Sequence, residues 1–156
     1  MSASSPSAAL SAAAERLHDS ALVARLRMAA ADAAGDSAAA VTIAREQLAS
    51  GVGGPSGAAL WMRLGLAAEA EGELAGALEA YGKALDLDPR SVPALVLRTD
   101  LLAQGDDPSK LAESMEVQTS AAGSQLAQAR AWMTVAYVWA VRAGVVERGK
   151  LALARA

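Results

Sequence analysis

The sequence predicts an all-α fold, an α-solenoid of antiparallel helix hairpins in about three to four repeats. Three observations carry that reading. Alanine makes up about a quarter of the 156 residues, and alanine is the strongest helix former and lets helix axes approach closely. No run reads as a strand, because valine and isoleucine are sparse and scattered among alanines. Residues 58–91 set large, small and turn-forming side chains in the order a helix–turn–helix unit needs, and a weaker echo of that order recurs further along.

The physical logic of 58–91 is local. Trp61, Leu64 and Ala68 lie at three- and four-residue steps, which stack side chains along one helix face. Gly65 and Ala77 are small where two helices must approach, and Tyr81 and Ala84 continue the seam on the second helix. Glu71-Gly72-Glu73 is a break at which the chain reverses, with Gly72 suited to the left-handed conformation that ends a helix. Asp88-Pro89 closes the second helix, because proline removes a donor and disfavours helix in the residue before it. One hairpin cannot bury its own apolar face, so neighbours are expected.

With Ala58 as position one, Trp61 stands at four, Leu64 at seven, Gly65 at eight, Gly72 at fifteen, Ala77 at twenty, Tyr81 at twenty-four, Ala84 at twenty-seven and Pro89 at thirty-two. This order resembles the tetratricopeptide repeat. It departs from it at position eleven, where Ala68 replaces the usual large residue. The resemblance implies that Trp61, Leu64, Gly65, Ala77, Tyr81, Ala84 and Pro89 define the repeat.

Further units flank this one. Residues 92–123 open with Ser91 as N-cap and Pro93 in the first turn, and carry Leu95 and Leu102 at positions four and eleven. Arg98 stands where Leu64 stood. Asp107 then caps a helix begun by Pro108, with Leu111, Met115 and Gln118 on one side. From 124 to 156 a degenerate unit follows: Trp132-Met133 repeats Trp61-Met62, and Val135, Ala136 and Trp139 match Leu64, Gly65 and Ala68. Gly144 breaks it before a last helix running to Ala156. Upstream, residues 21–50 read as helix, Gly35-Asp36 turn and helix, with mostly alanine at the key positions. Residues 8–156 thus form one helical domain, with 1–7 disordered and 51–57 a flexible glycine-rich loop. Leu10, Ala14, Leu17, Ala21, Ala24 and Met28 recur at steps of four and three, a heptad-like seam that either pairs two chains or packs on the first hairpin.

Composition narrows the function. The chain has no cysteine and a single histidine, His18, beside Asp19. That rules out disulfides, a thiol nucleophile and a conventional zinc site. Asp86/Asp88 and Asp106/Asp107 lack the loop of a calcium site, and the glycines of 51–57 precede no Gly-Lys-Ser/Thr. No catalytic or cofactor-binding set emerges, so the reading is a non-enzymatic protein. The N-terminus lacks the basic and apolar parts of a signal peptide, and the most apolar stretch, 131–141, is too short to span a bilayer. A cytoplasmic protein without membrane insertion is expected, and the alanine content points to a bacterial source. Residues 57–123 hold eleven acids against five bases, whereas 124–156 hold five bases against Glu147 alone. Five bases over two helices make a poor phosphate footprint, so nucleic acid is not the expected partner. The asymmetry reads first as solvated helix faces, and in the sharper reading the basic end meets an acidic surface on another copy or on a partner.

The resemblance also implies where a partner sits. Stacked repeats of this family curve so that their first helices line a concave groove that receives a peptide or helix. The groove residues it implies are Met62, Arg63, Leu66 and Glu69, with Ala59 and Ala70, in the best repeat. In the next they are Val96, Leu97 and Asp100. Met62 and Leu66 stand where some members carry the lysine and asparagine that clamp a terminal carboxylate, so that clamp is absent here. The expected function is protein–protein interaction, as an adaptor or chaperone. The alternatives are a self-assembling platform, with homo-oligomers as the product, or the N-terminal part of a longer scaffold.

Overall fold

The computed structural model describes residues 20–120 and 122–156, and these residues are all-helical, without a strand. Eight α-helices follow one another: α1 Ser20–Ala34, α2 Ser37–Ala49, α3 Gly54–Ala70, α4 Leu74–Leu87, α5 Val92–Gln104, α6 Pro108–Thr119, α7 Gln125–Tyr137 and α8 Val146–Leu153. A π-helical turn, Val138–Arg142, extends α7. Each helix packs on the next in sequence, which is the contact pattern of a tetratricopeptide-like solenoid. Residues 1–7, which the sequence leads one to expect as disordered, the seam residues Leu10, Ala14 and Leu17, and His18 with Asp19 lie outside the described residues.

The helix boundaries follow from local chemistry. Asp36 caps α2 by accepting from the Ala39 amide at 2.9 Å, and Asp107 caps α6 by accepting from Lys110 N at 3.1 Å. Ser124 does the same for α7 toward Ala127. Pro55, Pro93 and Pro108 each sit in a first turn, where a missing amide hydrogen costs little. Gly72 has φ +79, so the α3–α4 reversal uses the left-handed conformation that other residues resist.

Three expectations change. The glycine-rich stretch 51–57 is not one loop: α3 begins at Gly54, and Gly57 is buried against the Val52 carbonyl and Leu87. Only Ser50, Gly51, Val52 and Gly53 connect α2 to α3, because Pro55 favours a first helical turn more strongly than the glycines oppose it. The last helix does not run to Ala156; it ends at Leu153. The Ser91 hydroxyl does not cap α5 but donates to Met62 Sδ at 3.6 Å.

The core is a series of small clusters along the stack. Ala31, Ala40 and Ile43, with Met28 against them, hold the first hairpin. Ala58, Ala84 and Ala94 join α3, α4 and α5, flanked by Trp61, Met62, Leu85 and Leu87. Ala77, Tyr81 and Leu101 form the next, with Ala68, Leu78 and Leu97. The largest unites Leu102, Leu111, Ala112, Val135, Ala136, Val138, Trp139 and Ala152 from α5 to α8.

Within the best repeat, Gly65, Ala77, Tyr81 and Ala84 are buried. A Cβ on Gly65 would collide with Tyr81 Cε1, so the glycine is fixed by the ring lying across it. Ala68, at position eleven, packs against the cluster of Ala77, Tyr81 and Leu101. Trp61 and Leu64 are half-buried, and the Trp61 indole is covered by Lys83 Nζ at 4.4 Å from the ring centre. Pro89 is exposed; it stops α4 and is no part of the core.

Candidate partner-binding face

The face expected to hold a partner is built by the odd-numbered helices. On α3 the positions divide. Leu66 is 48% exposed. Met62 packs against the Ala58–Ala84–Ala94 cluster and accepts the Ser91 hydroxyl, so it fills the seam between α3 and α5. Glu69 accepts the Tyr81 hydroxyl at 2.8 Å, tying α3 to α4. Burial of that phenol, with the Glu69 carboxylate beside it, pushes the Tyr81 pKa well above its ordinary value. On α5, Val96 is 44% exposed and Asp100 points to solvent, whereas Leu97 packs on the Ala77–Tyr81–Leu101 cluster. Met62, Glu69 and Leu97 therefore serve helix packing, and Leu66, Val96 and Asp100 are left on the surface.

Arg63 has a different role. Its guanidinium makes a two-pronged ion pair with Asp32 at the end of α1, the second contact at 3.1 Å. The Arg63 hydrogen bond holds the Asp32 carboxyl below its usual range. The pair separates two open clefts between the first hairpin and α3. One, of about 360 Å³, is lined by Ala31, Ala40, Val41, Leu66, Ala67 and Ala70 among others. The second, about 450 Å³, includes Met28, Ala29, Gln47, Ala59 and Leu60.

The proposed face continues on α7 and the π-helical turn after it, where four residues were not assigned to the groove from the sequence. Arg130, Met133, Tyr137 and Val141 occupy the positions that Ala59, Met62, Leu66 and Ala70 hold in the best repeat. All four are exposed, Met133 by 52%, Tyr137 by 57% and Val141 by 64%. The signal was present, since Trp132-Met133 aligns with Trp61-Met62; carrying that alignment on to the outward positions would have found them.

Between α5 and α6 a polar network stands beside the apolar packing of Leu102 on Leu111 and Ala112. Gln118 Nε2 donates to Leu95 O at 2.8 Å and to Thr99 Oγ1 at 2.6 Å, and Thr99 shares a hydrogen bond of 2.7 Å with buried Ser114. On the far side, Arg148 lies over Trp139, 4.4 Å from its ring centre, and pairs with Glu113, while Arg155 lies over Trp132. Trp139 Nε1 donates to Glu116 at 2.6 Å. Part of the basic C-terminal charge is thus spent inside the fold. Among the described residues no group of three or more His, Cys, Asp or Glu is placed to hold a metal ion. No helix among them is long and apolar enough to cross a membrane.

The family model of the tetratricopeptide repeat matches residues 58–91. The chain carries a tetratricopeptide repeat. That match covers α3, α4 and the turn into α5, the segment in which Gly65, Tyr81 and Pro89 do what the repeat order requires. The hairpins on either side of the tetratricopeptide repeat continue its helix-on-helix packing with different side chains. Such a repeat marks a protein–protein interaction module. No curated protein matches the chain significantly.

Proposed function

We propose that the chain acts as an adaptor or chaperone that holds a peptide or helix of a partner protein against its odd-helix face, without catalysis of its own. One observation supports this most. Leu66 and Tyr137 share position nine of their units, Val96 and Met133 share position five of theirs, and each is 44% to 57% exposed. Scattered exposed apolar residues are ordinary, but a row in register along a repeat stack is a contact surface. Its apolar anchors, with Asp100 and Arg130 at the edges, suit an amphipathic helix or an extended segment.

The test is selection of binders from a displayed random-peptide library, followed by titration against Leu66→Glu and Tyr137→Glu. Both side chains are about half exposed, so helicity and melting should barely move. Selected peptides should bind the wild type and lose affinity by at least about tenfold with either variant. Peptides indifferent to both substitutions would place recognition elsewhere. Failure to enrich any peptide would count against an open peptide groove.

A further inference from the structure

The smaller cleft between the first hairpin and α3 is a gap that the surrounding side chains do not fill. Ala31, Ala40 and Val41 wall it on one side and Leu66, Ala67 and Ala70 on the other, around about 360 Å³. Four of these six are alanines, whose methyl groups are too short to meet across the helices. Ala31 and Ala40 are buried in the hairpin cluster, whereas Leu66 and Ala70 are exposed, so the floor is apolar and the cleft opens along α3. Water against such a floor finds few hydrogen-bond partners. The charges around it do not balance. Among the described residues that line it, Arg63 is the one base, and Asp32 holds both its prongs. Asp36 also lines it, and Glu71, the C-cap of α3, follows Ala70 directly. Asp36 and Ala70 border the same cleft, so the α1–α2 and α3–α4 turns lie side by side. Neither Asp36 nor Glu71 makes an ion pair with a described residue.

We propose that this cleft is the anchor site for the partner segment, and that the segment seats a large aliphatic or aromatic side chain there with lysine or arginine beside it. The anchor covers the alanine methyls and displaces poorly bonded water. The neighbouring base meets the carboxylates of Asp36 and Glu71, which the fold leaves without a cation. The same two carboxylates repel a segment whose anchor is flanked by aspartate or glutamate, so charge excludes as well as attracts. Leu66 belongs both to the cleft and to the exposed row, which joins the anchor site to the rest of the face. The proposal rests on the peptide-binding reading of that face, and it adds the chemistry of the peptide.

Selection from a displayed random-peptide library, run in parallel on the wild type and on Ala70→Phe, tests this. Ala70 is exposed, so the new ring enters the cleft without entering the core, and the melting temperature should not fall. Peptides enriched on the wild type should set lysine or arginine next to a large apolar residue and should be poor in aspartate and glutamate. By fluorescence anisotropy, Ala70→Phe should weaken these peptides at least about tenfold. The double variant Asp36→Asn, Glu71→Gln should weaken them about three- to tenfold and remove most of their salt dependence. Asparagine caps a helix as well as aspartate does, so the double variant should keep its helicity and melting temperature. Enriched peptides without a basic residue, or peptides blind to both Ala70→Phe and the double variant, overturn the anchor proposal. If such peptides still lose affinity with Tyr137→Glu, the peptide-binding reading of the face survives it. Failure to enrich any peptide on the wild type overturns both. Self-association of the wild type that Ala70→Phe abolishes would seat a second copy in the cleft, and that too overturns the partner anchor.

Discussion

Gly65 and Tyr81 show how one residue pair fixes a hairpin. The ring lies where any side chain at 65 would go, and its hydroxyl returns to α3 through Glu69. Gly65→Ala should therefore cost about 1–3 kcal/mol by overpacking, despite alanine's better helix propensity, as measured by urea unfolding. The phenol adds a pH dependence. Its pKa is raised in the folded state, so the folded chain holds that proton more tightly than the unfolded chain. The resulting stability is complete below the ordinary tyrosine pKa and is lost as pH rises through the higher folded value. Urea midpoints should fall in alkali above about pH 10, and Tyr81→Phe should flatten that part of the decline while lowering stability at neutral pH. Trp61 is less critical than its place in the repeat suggests. It is only half-buried, with Lys83 over it, so Trp61→Ala should cost about 2 kcal/mol, less than a fully buried tryptophan.

At the scale of helices, the contact between α5 and α6 is made specific by hydrogen bonds. Thr99→Val should cost about 1–3 kcal/mol, because it keeps the shape but strands Ser114 and one Gln118 contact. Thr99→Ser should recover most of that loss in the same unfolding measurement. This network was not legible in the sequence, where Gln118 counted only as sharing one side of its helix with Leu111 and Met115. Hydrogen-bond partners depend on how two helices meet, and helical period alone does not set that. The helices themselves were legible, since Asp36, Gly72, Asp107 and Pro108 announce their ends locally. The π-helical turn at Val138–Arg142 was not, because no proline or glycine marks it. It is where α8 closes on α7, with Ala140 against Gly149 so tightly that a Cβ there would stand 2.7 Å from the alanine methyl. The surface of the proposed face was half legible. Repeat register put Leu66 and Val96 outward, where they are exposed, but it did not decide whether Met62 and Leu97 fill the seams, as they do.

The whole molecule is a row of contacts between neighbours, and its strength is uneven along the row. Trp139 is 2% exposed and joins α6, the π turn and α8 in the largest cluster. Trp139→Ala should cost about 3–5 kcal/mol. Hydrogen exchange should then show amides of α6 to α8 opening first while those of α3 and α4 keep their protection. The opposite end is held differently. Between the first hairpin and α3 lie two clefts and an exposed ion pair, with alanines supplying much of the lining. Exposed ion pairs add little stability, and alanine contacts give up little when they slide. Mechanically this predicts a joint that yields before the Trp139 end of the stack does. A load applied along the stack is then expected to concentrate its deformation there, turning the first hairpin against α3.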